Sequence, residues 1–170
     1  MTRWRALFSL ALVFSIVPLT ACSGDTSTQA PPAVGQPFAA RATAVCQSAL
    51  EAKQGWSAFP VPDFDPTHPD PSAFPEVAAW LEDQVAPTFE AWLNGLRALG
   101  VPPTGRQAWI DVLAAVERIV QGNADQVAAA KAGDTEAFVA ATNDLRAIQI
   151  ELERATAAAG VAKCADVHKK

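Results

Sequence analysis

The chain has 170 residues, half of them hydrophobic, with a formal charge of −5. Basic residues scattered through an acidic chain argue against nucleic acid and against an electrostatic grip on anionic lipid as partners. Abundant Ala, scarce Lys and the absence of Tyr read as the product of a GC-rich, actinobacterial genome.

Arg3 and Arg5 precede a charge-free apolar run from Ala6 to Leu19. The run is shorter than the ~20 apolar residues that a spanning helix needs. A positive start, a short apolar stretch and small residues at its end are the layout of a removable export signal. The run closes on Leu19-Thr20-Ala21-Cys22. This tetrapeptide resembles the lipobox of the bacterial lipoproteins. The resemblance implies that residues 1–21 are removed, that the Cys22 sulfur takes a diacylglyceryl group, and that the new N-terminus is acylated, for example with palmitate. It covers residues 1–22 and carries nothing about the domain. Two or more acyl chains make a stable anchor where one alone is marginal. The expected location is therefore extracytoplasmic, lipid-anchored to the cell membrane. Loss of Arg3 and Arg5 leaves the mature part at −7.

Residues 23–36 (SGDTSTQAPPAVGQ) are small, polar and Pro-containing and read as a tether. At ~3.1 Å per residue it reaches at most ~45 Å. Residues 37–170 fit one domain, large enough for its own core. The first helix is expected from about Pro37 to Gln54, with Phe38, Ala42, Val45, Ala49 and Lys53 on one stripe and Cys46 and Leu50 beside it. Gly55 ends it.

Residues 55–71 hold five of the 13 prolines and form a long irregular connection, because each Pro biases its predecessor away from helix. Long loops in compact domains are often functional. The second helix is expected from Ser72, as N-cap, to Leu99. Val77, Leu81, Val85, Trp92, Leu96 and Leu99 share its inner face, and Pro87 should kink or divide it near Gln84–Ala86. The third runs from about Thr104 to Ala132 with Trp109, Leu113, Val116, Val120 and Val127 inward, weakened by Gly122. Gly133 stops it and Asp134 caps the fourth, whose seam is Phe138, Ala141, Leu145, Ile148, Leu152, Ala155 and Ala159. The expected fold is all-α, an antiparallel four-helix bundle with a Pro-rich loop between its first two helices.

Three cysteines in an exported chain leave one over. If Cys22 carries lipid, Cys46 and Cys164 can pair and tie the two ends of the bundle together across 118 residues. The alternative is two buried free thiols.

Chemistry is harder to find. Asp63, Asp65, His68 and Asp70 crowd one stretch, which makes them candidate metal ligands. An EF-hand loop starting at Asp63 would need Gly and Glu where His68 and Phe74 stand. Turn formation explains the Asp and Pro content equally well. Di-iron bundles need Glu-x-x-His on two helices, and the only histidines are His68 and His168. The only Met is Met1, so haem lacks an evident axial ligand as well. No Gly-x-Ser-x-Gly or phosphate-cradling glycine loop occurs, and no catalytic residues or cofactor are assigned.

Binding is left. A helix wheel places Trp80, Val139 and Ile150 off the core stripes, as candidate exposed binding residues; Trp56, Phe59 and Phe64 of the loop either join them or fold down over the core. The expected function is a noncatalytic interaction module of the cell envelope that binds a protein, a lipid or cell-wall material. The alternatives are a metal site in the 63–70 loop and a passive envelope component.

Overall fold

The computed structural model describes residues 37–169. The export signal, the lipobox with Cys22 and the tether lie outside the described residues, as does Lys170. All regular structure among the described residues is helical: α1 (Phe38–Gln54), α2 (Phe74–Trp80), α3 (Ala86–Ala98), α4 (Arg106–Ala132) and α5 (Thr135–Ala158). Short 3₁₀ turns over Pro71–Ala73 and Ala162–Val167 precede α2 and follow α5.

The second expected helix shows how a local rule sets the path. Pro87 has no N–H to close an α-helical turn, and the chain widens into a π turn over Leu81–Val85, with the Ala86 N–H donating to the Leu81 carbonyl. α2, the π turn and α3 follow one another without a break. The start differs from expectation. Asp70 is the capping residue, its carboxylate accepting from the Ser72 N–H at 2.9 Å, and Ser72 lies inside the 3₁₀ turn. A charged acceptor serves these free N–H groups better than a hydroxyl one residue into the turn. At α5, Asp134 does cap, accepting from the Ala137 N–H at 2.9 Å, after Gly133 has turned the chain at φ 70°.

The core forms where the inner stripes meet. α4 packs along α5 and also against α2 and α3; α1 packs against α3 and the C-terminal turn. Trp92 and Trp109 are buried, as are Phe74 and Phe138. The α4 stripe is rotated from the expected one. Val112, Val116, Ile119, Asn123 and Gln126 face inward, while Leu113, Val120 and Val127 sit half-buried on its flank. Two close approaches depend on glycine. A Cβ at Gly122 would lie 2.7 Å from Leu145 Cδ2, and one at Gly95 would lie 2.8 Å from Val45 Cγ1. Gly122 therefore does more than weaken α4: it lets α4 and α5 touch. None of the described helices is long and apolar enough to cross a membrane.

Cys46 of α1 and Cys164 of the C-terminal turn form a disulfide with Cα atoms 5.1 Å apart. The Trp92 indole N–H points at Cys46 Sγ from 3.4 Å, and both cysteines are fully buried. The bridge spans 118 residues, so in the chain-entropy model it removes a large share of the unfolded chain's freedom. Replacing both cysteines by Ser should lower the unfolding free energy by about 2–5 kcal/mol. Urea unfolding of the parent with and without reductant, beside the double variant, checks this; equal midpoints throughout would show that the bridge contributes nothing.

Candidate functional site

Behind the Pro-rich loop lies a cavity of about 760 Å³. Its size falls within the ~300–1,000 Å³ usual for small-molecule sites. Val77 of α2, Leu81 and Val85 of the π turn, and Phe89 of α3 form one wall; Phe138, Thr142 and Leu145 of α5 face them. Trp56, Phe59, Phe64 and Pro66 of the loop form the roof.

The roof is held by aromatic contacts and by the π turn. Trp56 and Phe59 each meet Trp80 edge-on, with centroids 5.5 and 5.0 Å away. Phe59 lies 5.5 Å from Phe64, which reaches Phe138 at 5.9 Å. On the other side Trp56 lies 6.3 Å from Phe89, which meets His168 at 5.8 Å. Edge-on aromatic pairs add ~0.5–1.5 kcal/mol each beyond their buried area. The indole N–H of Trp56 donates to Thr88 Oγ1 at 2.9 Å, and that hydroxyl donates to the Gln84 carbonyl. The Ser57 N–H donates to Gln84 Oε1, and the Trp80 indole N–H donates to the Ser57 carbonyl.

Polar groups enter from α4, α5 and the tail. Gln126 Nε2 donates to Thr142 Oγ1 at 2.9 Å, whose hydroxyl donates to the Phe138 carbonyl. Asn123 is 5% exposed and its amide nitrogen has no hydrogen-bond partner. An unmade bond at a buried donor costs ~1–3 kcal/mol, so such a group calls for an explanation. Lys53 Nζ donates to the carbonyls of Val167 and Lys169, at 2.8 and 2.6 Å, and so pins the tail to the end of α1. Burial lowers the pKa of this lysine. His168 Nδ1 lies 2.8 Å from Gln149 Oε1, while Gln149 Nε2 donates to Glu153. His168 therefore donates from Nδ1, leaving Nε2 as an acceptor. Burial, and then repulsion from Lys53, push its pKa down to about 4.

The sequence candidates divide sharply. Trp56, Phe59 and Phe64 come together at the roof. Trp80, expected off the core, is half-buried against them and lines the cavity because its indole completes the aromatic chain. Val139 is half-buried, and Ile150 stays 62% exposed. The three do not form the free surface that the helix wheel suggests.

Asp63, Asp65, His68 and Asp70 have local duties. Asp63 turns the chain at φ 58°. Asp65 accepts from the Thr67 hydroxyl, the Thr67 N–H and His68 Nδ1, in that order of effect on a carboxyl lowered to about 2. Asp70 caps the following turn. Among the described residues no three His, Cys, Asp or Glu side chains converge on a point where a metal ion would sit.

Asn123, Gln126, Gln149 and His168 escape a reading by apolar period. Their one sequence signal is that Asn123 and Gln126 continue the spacing of Val116 and Ile119. The chain matches no family model, and comparison with curated proteins and with solved structures gave no match.

The low pKa of His168 fixes a direction. In the unfolded chain the ring returns to about 6.5, so between about pH 6.5 and about pH 4 the unfolded state holds the extra proton. Its stabilising effect is complete above that window and fades as pH falls through it. The parent should lose on the order of 2 kcal/mol from this group between about pH 7 and pH 4. His168→Gln should remove that component, leaving carboxylate effects common to both. Urea midpoints against pH for the two proteins test it; parallel curves would mean that His168 is not buried as described.

Proposed function

We propose that the protein is a lipid-anchored, extracytoplasmic binding protein without catalytic activity, and that the cavity under the Pro-rich loop is its site. The helices are read as an antiparallel four-helix bundle in which α2, the π turn and α3 count as one bent helix. Two contacts support this reading: Phe38 meets Trp109 where α1 and α4 begin, and Phe74 meets Phe138 where α2 and α5 begin. The lipid anchor rests on Leu19-Thr20-Ala21-Cys22, and the disulfide between the other two cysteines accords with an oxidising compartment.

The observation that carries the binding reading is the unpartnered Asn123 amide in the wall of a large, mostly apolar cavity. An apolar pocket with a few convergent polar groups is the general form of a small-molecule site. Other polar groups around it are engaged with one another: Thr142 with Gln126 and Phe138, His168 with Gln149, Lys53 with two carbonyls. The Asn123 amide nitrogen is closed to solvent, so an incoming acceptor would satisfy it once the side chain turns toward the cavity.

Asn123→Leu should raise the unfolding free energy of the unliganded protein by about 1–2 kcal/mol, since it removes an unmet donor while keeping the branched shape and extending apolar bulk toward the cavity. It should also weaken an uncharged solvatochromic dye bearing a carbonyl acceptor. Higher stability with lower affinity marks a group kept for binding. Failure of the parent to bind the dye, or a variant less stable than the parent, would overturn the reading. For the anchor, the intact mass of protein recovered from native membranes should equal the chain from Cys22 plus diacylglyceryl and acyl groups; a bare Cys22 would remove it.

A further inference from the structure

The cavity changes character along its length. On α5 its lining residues run Phe138, Thr142, Leu145, Arg146 and Gln149. At 1.5 Å per residue this path is about 16 Å long, apolar at the start and polar at the end. Phe64 meets Phe138 and Phe59 lies beside Phe64, while Trp80 joins Phe59 to Trp56, over which Lys53 sits. Lys53, His168 and Lys169 gather near Gln149. Asn123 belongs to the polar side. Gln126 bonds to Thr142, and Gly122 abuts Leu145, so the antiparallel run of α4 and α5 sets Asn123 level with Asp144 and Leu145, just before Arg146.

The charges are one-sided too. The chain has 18 Asp and Glu against 13 Lys and Arg, yet the charged residues lining the cavity are Lys53, Arg146 and Lys169, with no carboxylate among them. Lys53 is engaged by two backbone carbonyls, and Lys169 pairs with Asp166 and Glu153. Arg146 is different: its guanidinium reaches Asn143 Oδ1 at 3.4 Å and forms no ion pair among the described residues. Arg97 and Arg118 each hold a glutamate, and Arg41, Arg106 and Arg154 form no ion pair among the described residues, but Arg146 is the one arginine that lines the cavity. A guanidinium fork is suited to a carboxylate or a phosphate.

We infer that the cavity takes a single-chain amphiphile with an anionic head, its tail among Phe59, Phe64, Trp80 and Phe138 and its head at Arg146 and Asn123. This deepens the binding reading above and rests on it. The volume favours one chain over two. A methylene displaces about as much space as a water, about 30 Å³, so the cavity is on the order of 25 methylenes large, room for one acyl chain and its head. Each buried methylene contributes ~0.8 kcal/mol, so the tail supplies most of the affinity and the head sets orientation and selectivity. A fatty-acid carboxylate and a lysolipid phosphate share this chemistry.

The test uses the full lipidated chain in phosphatidylcholine vesicles and tail-brominated probes. Bromine quenches tryptophan on contact, and Trp56 and Trp80 line the cavity. Brominated stearate, its alcohol of equal length and the corresponding lysophosphatidate are titrated in turn. At least one anionic probe should quench at about tenfold lower concentration than the alcohol; which of the two does so identifies the head. Arg146→Gln should bring that ratio close to one, and added salt should erode it in the parent. Equal quenching by alcohol and both anions, or a ratio unmoved in Arg146→Gln, would overturn the anionic head while leaving the cavity as a binding site. Dye binding without quenching by any probe would overturn the acyl tail. Absence of both dye binding and quenching would overturn the underlying reading. Circular dichroism of the variant, whose Arg146 is exposed in the parent, guards against misfolding as the cause.

Discussion

Cys46 and Cys164 hold the C-terminal turn against α1, and the tail side of the cavity depends on that cross-link. Past the bridge the chain presents Val167, fully buried, then His168 and Lys169. Lys53, two helical turns along α1 from Cys46, donates to the carbonyls on either side of His168. A covalent bond and a charge-assisted clamp thus act on one short segment from one helix. The histidine is neutral because this arrangement buries it beside a cation. Its Nδ1 proton is assigned by Gln149, whose own amide is fixed by Glu153.

The opposite side depends on Pro87. A proline inside a helix usually costs ~3 kcal/mol or more through the lost hydrogen bond and the ring's clash with the preceding turn. Here the π turn absorbs the defect, and Gln84 within it serves the loop twice. Its carbonyl accepts the Thr88 hydroxyl that receives Trp56, and its side chain accepts the Ser57 N–H. The Pro-rich loop is fastened to the place where the helix is imperfect, and Leu81 and Val85 from the same turn line the cavity. Helix irregularities of this kind recur at functional sites for the same reason.

Much of the architecture was legible because it follows from backbone chemistry and apolar period. The α5 seam ran unbroken from Phe138 to Leu152, Asp134 capped where a carboxylate follows a glycine stop, and the α-helix is interrupted just before Pro87. The site was hidden because a cavity violates the rule that reveals a core. Apolar spacing assigned Leu113, Val120 and Val127 to the inside of α4, whereas Asn123 and Gln126 take the inward positions around the cavity. Trp80 looked external on a wheel drawn for one straight helix, and it is the loop, invisible to any wheel, that covers it. The cluster at Asp63, Asp65, His68 and Asp70 was conspicuous in sequence but serves the turns it sits in.

The long span of the disulfide has a consequence in time. Cys164 leaves the ribosome 118 residues after Cys46, so α1 is synthesised well before the segment that must be oxidised onto it. Until then the cavity lacks the His168 and Lys169 wall. Completion waits on an electron-transfer event rather than on collapse alone. Cells that make this protein under reducing conditions would hold the tail by the Lys53 clamp and the burial of Val161 and Val167 alone.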